Sequence, residues 1–294
     1  MDTIEERRVE VPDGPPIDGL RFRYYTGEDD IPGMAEVIRA ANEANGESEY
    51  VSDDYLRSQV TSYSHYPPQE ARLIALVDGR IVACSEYEHA DTTAGRREYR
   101  SFGHVHPRWR RRGIGTAMSA WNEGRLLDIA ARQQHPGGAA LTTWIEEADV
   151  GATVLVEARG YDRTRIGFHM VRPDLDAIDV PPLPNGLEVR RVARDHLPRV
   201  WDAMIEAFRD HHGGHDGSEA AFHRWSSDPV FDTNLLVVAF DGEEVAGGVQ
   251  GWVDPEENEA NGYQRGWADP VFTRRPWRRR GLAYACLLYT SDAA

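Results

Sequence analysis

Residues 109–115 read WRRRGIG, and residues 277–283 read WRRRGLA, 168 positions further along the chain. Each heptapeptide follows a predicted strand and opens a predicted helix, so the two lie at corresponding places in two copies of one unit. A repeat period this long indicates duplicated domains and not a solenoid of short repeats. This heptapeptide, with the order of elements around it, decides the fold.

The chain around the first heptapeptide alternates strands and helices. Apolar residues recur every three or four positions from Ile31 onward, which predicts an amphipathic helix. Asp78-Gly79 joins two apolar runs and is a dipeptide favoured in tight hairpins, where both residues need positive φ. In order, the sequence predicts strand 20–25, helices from Ile31 and after Ser52, a hairpin of 72–77 and 80–87, strand 97–106, a helix from Gly113, strand 139–145, a helix over about 149–159 and strand 166–171.

The same order returns in the second half of the chain, with strands at 187–192, 235–240 and up to 252, a helix from Leu197, and a strand that ends near Thr273. We expect an acidic hairpin loop in solvent at 254–259. The predicted parts are a polar leader at 1–19, a first domain at 20–172, a proline-rich linker at 173–186 and a second domain at 187–294.

The second domain is expected to be truncated after its heptapeptide. Only 13 residues follow Gly281, whereas 59 residues lie between Gly113 and the predicted end of the first domain at Arg172. Residues 289–294 depart from the expected helix pattern, which leaves open whether they are native.

Composition narrows the class of protein. The 294 residues include 49 acidic and 33 basic side chains, a net charge of -16, which disfavours binding to nucleic acid or to an anionic membrane. The chain has two cysteines and no signal-like or membrane-spanning apolar stretch, so we expect a cytoplasmic protein without disulfides. His211, His212, His215 and Asp216 lack a closing ligand pattern and predict a polar loop, not a metal site.

The heptapeptide has the chemistry of an anion site. Unpaired backbone N–H groups at a helix start, with the positive end of the helix dipole, suit a pyrophosphate, and glycine permits its close approach. Neighbouring arginines add charge-assisted hydrogen bonds. The G-x-x-x-x-G-K-[ST] pattern of a P-loop is absent, and Met118 stands where a dinucleotide fingerprint needs a small residue.

Residues 110–115 and 278–283 both match [Q/R]-x-x-G-x-[G/A], the pyrophosphate signature of the GNAT superfamily of N-acetyltransferases, and the chain resembles that family. The resemblance implies an α/β chain of two tandem GNAT folds. Each would be a mixed, mostly antiparallel sheet flanked by helices, with a V-shaped splay between its fourth and fifth strands. The tandem arrangement resembles that of the mycothiol synthase type.

What the resemblance implies is an acyl-CoA-dependent N-acyltransferase that moves an acyl group, most simply acetyl from acetyl-CoA, to a primary amine of a small molecule. It implies no metal, no nucleic acid and no membrane, and leaves a homodimer open. The residues it assigns to the cofactor are Val105, Arg110, Arg111, Arg112, Gly113, Ile114, Gly115, Thr116, Thr273, Arg278, Arg279, Arg280, Gly281, Leu282 and Ala283.

The sequence leaves several candidates for the catalytic groups. A backbone N–H near Val105 or Thr273 would polarise the thioester carbonyl, and a general base is needed because an amine with a pKa of about 10.4 is almost fully protonated at neutral pH. The candidate bases are Glu86, Glu88, Glu98 and His104 in the first domain and Asp269 in the second, with His104 and Asp269 placed first.

Val156 occupies the position where many family members carry a tyrosine that protonates the leaving thiolate. This departure leaves two alternatives for the first domain. Either it transfers the acyl group with Tyr161 or water in place of that tyrosine, or it is a catalytically degenerate module that binds acyl-CoA without turnover.

Overall fold

The computed structural model describes residues 8–62, 66–176, 178–213 and 216–293. The chain separates into two compact units, Met1–Arg165 and Ile166–Ala294, here called unit 1 and unit 2. Residues 1–7 of the predicted leader, residue 177 of the predicted linker and His215 lie outside the described residues. The predicted domain bounds therefore stay predictions.

Unit 1 combines one sheet with helices on both of its faces. Its elements are, in order, β1 (Arg8–Val9), β2 (Leu20–Tyr24), α1 (Ile31–Asn45), α2 (Asp53–Ser62), α3 (Pro68–Ala71), β3 (Arg72–Val77), β4 (Arg80–Asp91), β5 (Arg97–Val105), α4 (Ile114–Gln133), β6 (Ala139–Thr142) and α5 (Val150–Ala158). No sequence pattern had predicted β1, which pairs with β2 and buries Val9.

The sheet of unit 1 has the order β1-β2-β3-β4-β5-β6. Neighbouring strands are antiparallel except β5 and β6, which run parallel. The β5–β6 pairing covers only Arg97–Arg100 of β5, although β5 continues to Val105. Residues 101–105 therefore form an unpaired edge where the two strands diverge, at the place predicted for the splay.

The β3–β4 hairpin confirms the prediction made from Asp78-Gly79. Both residues have positive φ, 50° for Asp78 and 83° for Gly79. Asparagine, aspartate and glycine tolerate this left-handed conformation best, which is why the dipeptide is informative in sequence.

The two faces of the unit 1 sheet pack against different helices. Ile74 and Cys84 pack with Ile31 and Met34 of α1 in one core cluster. Ala75 and its neighbours on the other face pack with α4 in a second cluster. His104 pairs with Cys84 across the strands, so the even-numbered residues of β5 share the α1 face.

A buried ion pair anchors β2 to the turn before α1. Arg23 and Asp30 have side chains that are 9% and 6% exposed, and Arg23 NH2 donates to Asp30 Oδ1 over 2.6 Å. Asp30 also accepts a hydrogen bond from the Thr26 backbone N–H over 2.8 Å. Burial opposes the charged carboxylate, but these hydrogen bonds prevail and hold the pKa of Asp30 below its usual value.

We expect Asp30→Asn to lower the free energy of unfolding of unit 1 by about 3–5 kcal/mol, because it leaves the Arg23 charge buried and uncompensated. Since the folded pKa of Asp30 is depressed, the carboxylate stabilises the fold fully above the unfolded pKa of about 4, and this contribution is lost as the pH falls through the folded pKa. Denaturant titrations at neutral and acidic pH measure both effects, with exposed Asp29→Asn as the control. Equal unfolding midpoints for the two variants would contradict this account.

Unit 2 repeats the arrangement with one four-stranded antiparallel sheet of order β10-β9-β8-β7. Its elements are β7 (Leu187–Arg190), α6 (Leu197–Phe208), α7 (Glu219–Ser226), β8 (Leu236–Asp241), β9 (Glu244–Trp252), α8 (Pro255–Asn261), β10 (Trp267–Thr273) and α9 (Leu282–Ala293). One core cluster contains Trp201 and Met204 of α6, and another contains Leu282 and Cys286 of α9.

Two local predictions are wrong. Residues 166–171 form no strand, and Phe168 and Met170 are 81% and 95% exposed, because no neighbouring strand pairs with this apolar run. The acidic stretch 254–259 is not a solvated loop, since most of it forms α8 and Glu257 is buried. Tyr263 Oη donates to Glu257 over 2.6 Å, which satisfies part of the buried carboxylate.

Across the described ranges, no helix is both long enough and apolar enough to cross a membrane. In the same part of the chain, no three His, Cys, Asp or Glu side chains converge as metal ligands would.

Candidate functional site

The two heptapeptides have the same unusual backbone geometry. Arg111 and Gly113 have φ of 60° and 88°, and Arg279 and Gly281 have φ of 59° and 84°. In each unit the second of these residues is followed at once by a helix, α4 or α9. Alternating right- and left-handed residues turn successive N–H groups toward one concavity, which suits an anion at a helix start.

The first arginine of each signature points back into the fold. Arg110 donates through Nε to the Val105 carbonyl (3.2 Å), through NH2 to the Ala41 carbonyl (3.3 Å) and through NH1 to Asn45 Oδ1 (2.8 Å). These bonds join the loop to the end of β5 and to the C-terminal turn of α1. We propose that the Arg110 side chain positions the loop, while its backbone faces the anion.

Arg278 makes the corresponding bonds in unit 2. Its Nε donates to the Thr273 carbonyl and its NH2 to the Ala207 carbonyl, both over 2.9 Å. The Nη1 atom of Arg278 contacts Asp210 Oδ2 over 2.5 Å, whereas the Nη1 atom of Arg110 in unit 1 contacts Asn45. Asn45 and Asp210 were missed by the sequence reasoning, and a comparison of how the first helix ends in each copy would have found them.

The remaining loop residues of unit 1 divide into buried and exposed groups. Ile114 is buried in the core. A Cβ on Gly115 would lie 3.4 Å from Val105 and 3.9 Å from Leu155, so this position lies between β5 and α5. Arg111, Arg112 and Thr116 are exposed, and the Arg112 guanidinium lies 4.8 Å from the Trp109 ring centre.

The unpaired edge of β5 presents a row of backbone N–H groups. Arg97 donates to Gly138 on the β6 side, whereas His106 donates to Val82 on the β4 side. Because N–H directions alternate along a strand, those of Ser101, Gly103 and Val105 point to the splay. This edge begins next to the loop and can pair with an extended polar ligand.

A group of charged side chains lies on the α1 face of the sheet, at the end of the splay that is farther from the loop of residues 110–115. Glu88 pairs across the strands with Arg100, and Arg100 contacts Glu88 over 3.6 Å and Glu98 over 2.8 Å. Arg72, almost fully buried, forms an ion pair with Glu86. Burial raises the pKa of Glu88 against the opposing charge of Arg100, so this carboxylate binds a proton more readily than usual.

His104 lies on the same face but near the loop. Burial lowers the pKa of His104, with a further lowering by the Arg110 charge and an opposing effect of Asp149. Asn45 links this region, since its Nδ2 donates to Asp149 Oδ2 over 3.2 Å and to Glu47 Oε1 over 2.8 Å. His104 is therefore neutral at neutral pH, and it lies at the end of the splay next to the loop.

Helix α5 offers no phenol at the position of Val156. Burial and the neighbouring Glu123 raise the pKa of Tyr161 to about 12. Glu123 lies on α4 and also binds Arg159 at the end of α5, with 2.7 Å between Arg159 Nε and Glu123 Oε1. Tyr161 is thus bound to Glu123, and its proton is held more tightly than usual.

Unit 2 has a cavity of about 600 Å³ against its own loop. Its lining includes Phe208 and Asp210 from the end of α6, Thr273 at the end of β10, and Arg278 and Gly281 in the loop. Within the described residues, Thr273 Oγ1 is buried without a hydrogen-bond partner. Asp269, predicted as a base, lies exposed at the irregularity in β10 between Ala268 and Val271.

Comparisons with known proteins agree with this geometry. No protein-family model matches the chain. Among solved structures, a GCN5-related N-acetyltransferase from Sphaerobacter thermophilus aligns with a TM-score of 0.63 at 24% identity, over 94% of this chain and 83% of that one. A tandem GNAT protein from the clavulanic acid biosynthesis pathway aligns with a TM-score of 0.60 at 15% identity, over 93% and 85%. The chain therefore has the fold of two tandem GNAT domains.

The sequence relatives of the chain carry the name of one particular enzyme. A mycothiol acetyltransferase of Salinispora arenicola is 27% identical over 72% of this chain and 64% of its own length. One of Thermobispora bispora is 29% identical over 69% and 63%. The match thus spans less than two thirds of the length of these relatives. The activity of this chain, with its donor and its acceptor, therefore belongs to the proposal below.

Proposed function

We propose that this protein transfers an acetyl group from acetyl-CoA to a primary amine of a small molecule, and that unit 1 performs the reaction. The observation that carries the proposal is the loop of residues 110–115 beside the unpaired edge of β5. The loop suits the pyrophosphate of the coenzyme, and the edge suits its pantetheine arm.

The length of the edge supports a position for the reacting end of the coenzyme. Residues 101–105 span roughly 17 Å at 3.3 Å per residue, comparable to an extended pantetheine arm. With the pyrophosphate on the loop, the thioester would lie where β6 begins to pair, near Arg100. The N–H of Ser101 or Gly103 would then polarise the thioester oxygen, while that of Val105 would bind the arm nearer the loop.

Glu88 is then better placed than His104 to act as the general base. Glu88 lies across from Arg100 on the α1 face of the sheet, where the amine would approach, whereas His104 lies next to the loop. The raised pKa of Glu88 makes it a stronger base than an ordinary carboxylate. Glu98, which contacts Arg100 over 2.8 Å, would hold that guanidinium in place.

The proposed step is direct transfer. Glu88 takes a proton from the ammonium group, the free amine nitrogen attacks the thioester carbonyl carbon, the N–C bond forms, and the C–S bond breaks. The nitrogen must lose a second proton to become an amide. Because Val156 cannot donate a proton and Tyr161 is bound to Glu123, this second proton would pass through water to the leaving thiolate.

The test is release of free thiol from acetyl-CoA with a panel of small-molecule amines, with mass spectrometry of the acceptor. Acetylated amine formed together with thiol supports the proposal. Tight binding of acetyl-CoA without amine-dependent thiol release by any acceptor would instead favour the second candidate, an acyl-CoA-binding module, which Val156 in the tyrosine position suggests. A cytoplasmic location and a homodimer stay predictions.

A further inference from the structure

The arginines beside the unit 2 loop are largely neutralised by carboxylates. Arg274 contacts Glu206 over 2.8 Å and Glu244 over 3.2 Å. Arg275 and Arg278 both form ion pairs with Asp210. Of the five arginines between 274 and 280, three are therefore paired.

The unit 1 loop retains its positive charge. None of the ion pairs formed by the described residues of unit 1 includes Arg108, Arg110, Arg111 or Arg112. Arg110 contacts the neutral amide of Asn45, where Arg278 contacts a carboxylate. The two loops thus share a backbone geometry but differ in whether carboxylates contact their arginines directly.

Of the three carboxylates that pair with these arginines, Asp210 is the one that lines the unit 2 cavity. It does so together with Arg278, Arg279 and Gly281, so its charge faces any ligand bound there. Hydrogen bonds from Arg275 and Arg278 hold the pKa of Asp210 well below its usual range, so this carboxylate is ionised at neutral pH. A phosphate entering the cavity meets this negative charge directly, whereas in unit 1 Asn45 stands between Arg110 and the nearest carboxylates, Glu47 and Asp149.

We infer that the two loops are unequal coenzyme sites, that acetyl-CoA binds first and more tightly to unit 1, and that Asp210 sets the weaker affinity of unit 2. This inference rests on the proposed function, because it takes the coenzyme as the shared ligand. Coenzyme A carries a pyrophosphate and a further ribose phosphate, so a change of one unit of charge at the loop alters its binding measurably.

The experiment is a reciprocal exchange of the two residues in the full chain. Isothermal titration with CoA compares the unaltered chain with Asp210→Asn and Asn45→Asp. Asp210→Asn should tighten the weaker site by about five- to tenfold, and Asn45→Asp should weaken the stronger site by a similar factor. Both changes should shrink as salt rises. Asn45→Ala, which removes the amide without adding charge, controls for lost contacts, and circular dichroism controls for folding.

Site assignment comes from Gly113→Glu and Gly281→Glu, which should remove the stronger and the weaker site, respectively. Loss of the stronger site in Gly281→Glu, or an unchanged weaker site in Asp210→Asn, would overturn the inference and leave the proposed function standing. If the unaltered chain binds no CoA at all, the proposed function itself fails.

Discussion

Replacing Glu88 with glutamine should slow acetyl transfer by roughly 10²–10⁴-fold, the range typical of a lost general base, and leave acetyl-CoA affinity unchanged. Glutamine keeps the size of the side chain but cannot take a proton. Since burial raises the pKa of Glu88, kcat/KM should rise with pH through a value above the usual 4.5 of a glutamate, and this limb should vanish in the variant. Thiol-release kinetics across pH, paired with titration of acetyl-CoA, measure both effects.

His104→Gln is the matched control, because His104 lies on the same face of the sheet as Glu88 but beside the loop. We expect it to retain most of the transfer rate. If His104→Gln loses the rate while Glu88→Gln keeps it, the base is His104 and the thioester lies closer to the loop than proposed. Glu98→Gln should have an intermediate effect, because it removes the partner that holds Arg100.

Replacing Gly113 with glutamate should weaken acetyl-CoA binding by at least roughly 100-fold, about 2.7 kcal/mol. Gly113 has φ of 88°, a conformation that costs a non-glycine residue about 1–2 kcal/mol. A Cβ there would also lie 3.2 Å from Pro15, and the added carboxylate would repel the pyrophosphate. Isothermal titration measures the loss.

Gly113→Ala distinguishes backbone strain from charge repulsion, and Gly281→Glu distinguishes the site of unit 1 from that of unit 2. Alanine adds the backbone strain without the charge, so it should lose much less affinity than glutamate. Gly281 has φ of 84° and no atom within 4 Å of an added Cβ, and its change to glutamate should affect only the weaker site. Acetyl-CoA binding that survives unaltered in Gly113→Glu, with a normal thermal transition, would place the coenzyme elsewhere.

The sequence predicted the fold wherever short-range chemistry determines the backbone. Asp78-Gly79 identified the hairpin because few other dipeptides tolerate two positive φ values. The two heptapeptides identified the loops because glycine is needed at the left-handed position before α4 and α9. The predicted strand at 166–171 failed because alternation of apolar residues shows that a segment could form a strand, not that a partner strand lies beside it.

The site was less predictable because it depends on distance along the sheet. Strand parity could not choose between His104 on β5 and Glu88 on β4, and the proposal of Glu88 depends on the point where β6 stops pairing, at Arg100, which the sequence did not predict. The roles of Asn45 and Asp210 were equally hidden, since each contacts an arginine more than 60 residues away in sequence. Glu257 was misread because its hydrogen-bond partners, Tyr263 and Trp267, lie outside the acidic run, 6 and 10 residues further along the chain.

A crystal structure of the full chain with bound acetyl-CoA would locate the coenzyme on the protein. We expect the pyrophosphate on the N–H groups of residues 110–115, the pantetheine arm along the edge of residues 101–105, and the thioester beside Arg100, within reach of Glu88. Pyrophosphate bound away from residues 110–115, or an arm that does not run along β5, would contradict this expectation.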